Sequence, residues 1–454
     1  MSESSSPVVP VAAETQRELT GEPLFRALFI TQFTGAFNDN FYKSALLMLF
    51  TYGGLHHWGI DIDVINNLVA ATLIIPFLLF ASVMGQLADK YERSRMIQYI
   101  KMAEVLIMCA GIISLWLESP LALLLVLLAT GTQSACFSPL KYAIVPNLVK
   151  PQALMGGNAL MHAGTSLAIF LGLIAGSLLV QLPSGKWLVG GSALVLALWG
   201  WYSSRRLPPV PVACSELSLH WNPWTQTRRT LAFACADKTV FWTIIGISWY
   251  WFMGSVYLTQ IPNMAKELLH AEPLMVPILL VLFLVGLAVG SLMCERLSAK
   301  QVEAGLVPLG ALGVALVGAD LVYSCYSIAA SGKFSGAELT TLSVLLADAG
   351  VWRLMLDIML LGVSGGLYLV PLSAVLQSRS DSRYRAQIMA ANNVFNALLM
   401  VLAAVLGAVM LGRAQLAIAD LYLAVVILHV CLCAVLFTCA PEFWQRFKIR
   451  FGTA

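Results

Sequence analysis

Charge is what this sequence has least of. Only 11% of its 454 residues are Asp, Glu, Lys or Arg, while 59% are apolar and mean hydropathy is +0.80. Soluble domains carry roughly 25% charged residues, so too little charge is present to coat a water-facing surface. That excludes a soluble enzyme, a nucleic-acid-binding domain and a disordered chain. The net charge of +3 is likewise too small to imply a nucleic-acid partner. The nine cysteines are odd in number and contain no CxxC, which argues against a disulfide framework and a zinc site. No Gly-x-x-x-x-Gly-Lys-Ser/Thr loop occurs, which argues against ATP-driven pumping. No feature points to a metal, nucleotide or organic cofactor.

What is present is a series of long apolar runs. A membrane-crossing helix needs about 20 such residues. The runs predict twelve helices, at 24–51, 64–88, 94–117, 120–145, 152–182, 187–206, 238–262, 273–295, 303–325, 354–378, 384–412 and 416–440. Solid apolar blocks, rather than alternation, exclude a lipid-facing barrel. The expected fold class is therefore an all-α membrane protein. Of the 27 Lys and Arg residues, 19 fall on the N-terminus, the even-numbered loops and the C-terminus. Five (Lys186, Lys266, Lys333, Arg353 and Arg413) fall on the other side, and Lys43, Lys101 and Lys141 lie within spans. This bias predicts a multi-pass protein with both termini cytoplasmic.

The loop at 207–237 starts Pro-rich and then carries Trp221, Trp224, Arg228 and Arg229, residue types suited to the headgroup level. It divides the chain into two six-helix halves, 23–206 and 238–440, flanked by a flexible tail at 1–22 and a second tail at 441–454. The first tail lacks an apolar signal-peptide core. Internal echoes support two related halves. Gly85-Gln-Leu-Ala-Asp89-Lys90 follows span two, and Gly290-Ser-Leu-Met-Cys-Glu295-Arg296 follows span eight. Pro139 and Asn158 in the first half are matched by Pro371 and Asn392 in the second.

Gly85-x-x-x-Asp89-Lys90-x-x-Arg93-x-Arg95 resembles the loop signature of the major facilitator superfamily, with Glu92 where that family usually has Gly. A narrower resemblance covers most of the chain. Ala36-Phe-Asn-Asp39-Asn40, Phe137-Ser-Pro139, Lys141-Tyr142, Ile247-Ser-Trp-Tyr-Trp-Phe-Met-Gly254, Gly305-Leu-Val-Pro-Leu-Gly310 and Val370-Pro-Leu-Ser-Ala-Val-Leu-Gln377 look like the lysophospholipid transporter family. That resemblance implies a carrier in a bacterial inner (plasma) membrane. It would move lysophospholipids, chiefly lysophosphatidylethanolamine, to the inner leaflet for reacylation. Members of the family are sometimes fused to an acyltransferase. This chain ends soon after its twelfth expected span, so a separate acyltransferase is the expected downstream partner. Membrane lipids would be the other partners. One departure concerns span seven, where family members can carry a basic residue facing the cavity and Gly254-Ser-Val-Tyr-Leu-Thr-Gln260 has none.

Ionisable groups inside spans are costly and so mark candidate sites. Asp39 lies mid-span one between Asn38 and Asn40. Lys43, four residues on, shares its helix face, so the two either neutralise each other or face a cavity. Asp39 suits the ammonium of a zwitterionic headgroup, and Lys141, near the cytoplasmic end of span four, either binds the phosphate or snorkels to the interface. Lys101 and Glu104, three apart, are an expected internal pair, with Glu104 otherwise a candidate for protonation coupling. Asn392, Asn393 and Asn396 form a polar patch in span eleven, and His162 reads as a packing residue. The expected substrate set is Asp39, Asn40, Lys43, Glu104, Lys141, Asn392 and Asn393, with Gly85, Asp89, Lys90 and Arg93 as the gating loop. Polar chemistry is expected mainly in the N-terminal half, with amides and aromatics in the C-terminal half. Gly172-x-x-x-Gly176 and Gly286-x-x-x-Gly290 read as packing motifs.

An enzyme reading has one weak hook, His56-x-x-x-x-Asp61, spaced like an acyltransferase pair but without a companion phosphate-binding segment. The chain is expected not to be an enzyme. The remaining alternative is a major facilitator exporter of a small amphiphile such as a siderophore or drug, because a fold does not decide a substrate.

Overall fold

Every long apolar run forms a helix. A computed structural model describes residues 15–52, 62–272, 274–298, 301–334 and 339–451. Its helices are α1 (Gln16–Gly21), α2 (Pro23–Tyr52), α3 (Ile62–Lys90), α4 (Arg93–Leu117), α5 (Pro120–Leu148), α6 (Leu154–Leu179), α7 (Gly185–Ser204), α8 (Pro223–Ala236), α9 (Lys238–Asn263), α10 (Met275–Leu297), α11 (Leu306–Ser331), α12 (Leu342–Ala347), α13 (Ala349–Arg379), α14 (Arg385–Gly407), α15 (Ile418–Cys439) and α16 (Glu442–Phe451). An isolated bridge joins Ala271 to Thr340. Long helices stand at all twelve expected positions, and among the described residues nine are long and apolar enough to cross a membrane. In α2 the apolar run is broken by Gln32, Asn38, Asp39, Asn40 and Lys43. His56 and Asp61 lie outside the described residues.

The helices group into two compact units, Met1–Asp237 with Gln377–Ala397, and Lys238–Leu376 with Leu398–Ala454. In the first, α2 packs on α5, α6 and α7, α3 on α5, and α4 on α5 and α7. Close approach of α2 and α6 depends on two glycines. A Cβ on Gly172 would stand 2.4 Å from the carbonyl oxygen of Phe37, and one on Gly176 2.1 Å from that of Phe41. Backbones meet this closely only where side chains are minimal, which is how helices associate where lipid supplies no hydrophobic drive. Part of the expected N-terminal tail is also ordered: Thr15 caps α1, Leu19 is fully buried, and α1 packs on α2 and α6.

The second unit repeats the device. Cβ atoms on Gly286 and Gly290 would each lie 2.0 Å from a carbonyl oxygen of α13, those of Met359 and Val363. Its core includes Trp249, Phe252, Met253, Phe283 and Tyr422. Trp249 and Phe252 stack at 4.5 Å, so the aromatic run of span seven is largely core. Trp249 Nε1 donates to His429 Nδ1 at 3.0 Å, which leaves the proton on Nε2 to meet Ala311 O at 3.0 Å. One neutral imidazole thereby ties α9, α11 and α15 together.

Candidate substrate site and gating loop

Three consecutive residues of α2 project in three directions, since each step turns a helix by about 100°. Asn38 is fully buried and donates from Nδ2 to Glu104 Oε1 at 3.2 Å. Glu104 Oε2 accepts from Lys101 Nζ at 2.7 Å and from Gln133 Nε2 at 3.2 Å. Lys101 also lies over the Phe137 ring, 4.7 Å from its centroid. Its ammonium fills space left by Gly35, whose Cβ would come within 2.4 Å of it. Lys101 and Glu104 are both 1% exposed, and each charge is met. Glu104 therefore lies behind the other expected substrate residues as part of a closed cluster.

Asp39 points elsewhere. It is half-buried, Ser134 Oγ on α5 donates to its Oδ2, and its Oδ1 has no hydrogen-bond partner among the described residues. Lys43 donates to Asn40 Oδ1 at 3.0 Å, and Asn40 donates to Ala36 O at 2.8 Å. Asp39 and Lys43 thus share a helix face without forming an ion pair. Lys141, half-buried on α5 just beyond Pro139, lies over the Tyr142 ring at 4.9 Å. Among the described residues it has no hydrogen-bond or ion-pair partner, though Asp39 is within electrostatic range. Tyr142 in turn stacks on buried His162 at 5.6 Å. Asn393 Oδ1 accepts from Ser138 Oγ at 3.2 Å, while Asn393 Nδ2 and Asn392 Oδ1 are buried without partners among the described residues. The set offers one anionic acceptor, one cation and two amide groups that the protein leaves open.

The expected gating loop is, by contrast, fully occupied. Asp89 is completely buried; its Oδ1 accepts from Arg93 Nη2 and from Ala386 N, both at 2.9 Å, and its Oδ2 accepts from Gln387 N at 3.0 Å. A carboxylate thus caps the start of α14, where free N–H groups and the helix dipole favour negative charge. Arg93 also donates to Ala88 O, Ala143 O and Asn147 Oδ1 at 3.1–3.2 Å. Gly85 gives α14 room, since a Cβ there would stand 2.7 Å from that of Ala390. Asn158 and Gln377 exchange amide hydrogen bonds at 2.9 and 2.8 Å. Lys90 holds the linker through Leu217 O at 2.7 Å.

Sequence reasoning missed two features. Glu92, noted as a departure from the loop signature, caps α4 through Ser94 N and Arg95 N and accepts from Val210 N of the linker at 2.9 Å. Charge also enters the spans of the second unit, where fewer charges than in the first half are expected. Asp357 is 4% exposed and accepts from Ser324 Oγ at 2.7 Å, and Arg353 pairs with Asp320. Both aspartates lay inside predicted spans, so the signal was available.

Membrane-length helices that bury ion pairs and leave a few charges open are the architecture of a polytopic transport protein. Residues 28–402 match the sequence profile of the Major Facilitator Superfamily, and the chain belongs to that superfamily of membrane transporters. It is 27% identical over 364 residues to the lysophospholipid transporter LplT of Shigella dysenteriae serotype 1 (strain Sd197), covering 78% of this chain and 80% of that one. The LplT of Escherichia coli (strain SE11) is 27% identical over 365 residues, with the same coverage. Among solved structures, a bacterial homologue of the iron transporter ferroportin in an outward-facing state shares the fold with a TM-score of 0.67 at 14% identity, covering 91% of this chain and 99% of that one. The human organic anion transporter MFSD10 does so with a TM-score of 0.63 at 16% identity, covering 94% and 100%.

Proposed function

We propose that this transporter carries lysophospholipids, with lysophosphatidylethanolamine as the representative substrate, toward the cytoplasmic leaflet of a bacterial inner membrane. The observation that carries this reading is the pair of open, opposite charges on α2 and α5. A zwitterionic headgroup has the complementary pair: its ammonium meets Asp39 Oδ1, assisted by Asn40, and its phosphate meets Lys141. Lys43 sets the position of Asn40, Glu104 braces α2 from behind, and Asn392 and Asn393 supply amide contacts. An apolar recess of about 450 Å³, lined by Met84, Ile107, Leu125, Leu128, Ala129 and Cys136, reaches Gln133 of the closed Glu104 cluster. The kinship with LplT supports the same reading.

In this account the chain crosses the membrane twelve times with both termini cytoplasmic, and its two six-helix halves alternate access. The contacts of Gly85, Asp89, Lys90 and Arg93 are made when the cytoplasmic side is closed and break when it opens. The delivered lipid is reacylated by a separate acyltransferase. The test loads labelled lysophosphatidylethanolamine into the outer leaflet of spheroplasts with and without the protein. Faster inward movement and reacylation with the protein support the reading. Unchanged rates would refute it and leave export of another amphiphile as the function to test.

A further inference from the structure

Helix α8, in the linker, has one face committed to the protein and one face uncommitted. Asn222 caps it, accepting from Trp224 N at 3.0 Å and Thr225 N at 3.4 Å. Gln226, Thr230 and Ala234, spaced four apart, are buried where α8 packs on α3. Gln226 Nε2 donates to Gln387 Oε1 at 2.9 Å and to Thr230 Oγ1 at 3.2 Å, and Phe233 stacks on Tyr384 at 4.6 Å. Gln387 is the same residue whose backbone N–H caps onto Asp89. The linker before α8 is fastened as well, by Gln86 to both backbone groups of His220 at 2.6 and 2.9 Å.

The other face carries Trp224, which is 73% exposed, with Arg228 one helical turn on and Arg229 beside it, and Trp221, 68% exposed, just ahead. Neither arginine has a hydrogen-bond or ion-pair partner among the described residues, and α8 contains no acidic residue. Exposed tryptophan with unpaired arginine is the chemistry of a helix lying on anionic headgroups, where the indole sits at the boundary and the guanidinium meets phosphate.

We propose that the outer face of α8 binds anionic phospholipid of the bilayer surface, and that lipid held there strengthens, through the Gln226–Gln387 bond, the latch that Asp89 forms with the start of α14. The proposal rests on the gating role proposed for Asp89, but lipid binding can be read without any transport substrate. The full-length protein is placed in phosphatidylcholine vesicles containing brominated phosphatidylglycerol, and quenching of Trp221 and Trp224 is taken as the difference between wild type and the Trp221→Phe/Trp224→Phe variant. Strong quenching is expected, and Arg228→Gln/Arg229→Gln should need more phosphatidylglycerol for the same effect, by about fivefold for each arginine removed. Equal quenching by brominated phosphatidylcholine, or quenching unaltered in the arginine variant, would overturn the lipid site. Inorganic phosphate should not compete; competition would point to a free-anion site instead and overturn the proposal.

The coupling has its own readout. Gln226→Leu should keep the quenching while losing the dependence of transport on phosphatidylglycerol. If Gln226→Leu retains that dependence, the link to the latch is wrong even where the lipid site stands. Transport that fails in every lipid while quenching persists would count against the substrate assignment, not against the lipid site.

Discussion

Two polar clusters lie side by side in the first unit, and they differ in whether their charges are met. Around Lys101 and Glu104 every charge is met: an ion pair of 2.7 Å, amide donors from Asn38 and Gln133, and an aromatic face beneath the ammonium. Around Asp39 and Lys141 the same kinds of group stand half-buried with an oxygen and an ammonium left open. Burying a charge in a low-dielectric interior is costly unless it is paired. A closed cluster therefore reads as scaffold, and an open one as a place where something else completes the pairing. Asn38 and Asp39, neighbours in sequence, belong one to each cluster.

Substitutions can break this contrast at several points. The largest effect is expected at the open cluster: Asp39→Asn and Lys141→Ala should each bring lysolipid transport to the level of empty vesicles, with expression and melting temperature unchanged. Wild-type rates in both would remove them from the site. The closed cluster should respond in the opposite manner. Lys101→Met strands the Glu104 charge and should cost about 3–5 kcal/mol of stability, seen as a fall in melting temperature. Lys101→Met/Glu104→Gln should recover most of it, and no recovery would mean that the pair does not act as a unit. At the latch, Asp89→Asn replaces a charged cap with a neutral one and unpairs Arg93. A loss of about 1 kcal/mol, or roughly fivefold in the closed-to-open ratio, should raise thiol labelling of an engineered cysteine at the N-terminal end of α14. Smallest of all, Ser134→Ala removes the Ser134 donor to Asp39 and should change transport only a few-fold, consistent with a hydrogen bond of about 1 kcal/mol. A complete loss there would make Ser134 part of the binding set.

Apolar run length made the helices legible. The expected spans at 94–117 and 120–145 correspond to α4 and α5, and the Ser119-Pro120 start of α5 is a signal visible in sequence. Spacing also gave the Lys101–Glu104 pair, because residues three apart meet on a helix surface. The same kind of rule left Asp39 with Lys43 unresolved. Side-chain choice there is decided across helices: Ser134, 95 residues away, takes the carboxylate and Asn40 takes the ammonium. Likewise nothing local says that Asp89 caps a helix nearly 300 residues later, or that Gln86, Lys90 and Glu92 hold the linker. Asp320 and Asp357 were legible as charges within predicted spans, and only their pairing needed three dimensions.

The central claim is that the open charges of α2 and α5 serve a lysophospholipid headgroup. The most direct measurement follows labelled lysophosphatidylethanolamine across the bilayer of proteoliposomes containing wild type, Asp39→Asn or no protein. Fast movement is expected with wild type, and equal, slow movement in the other two. Movement by Asp39→Asn at the wild-type rate, or none above background by wild type, would contradict it.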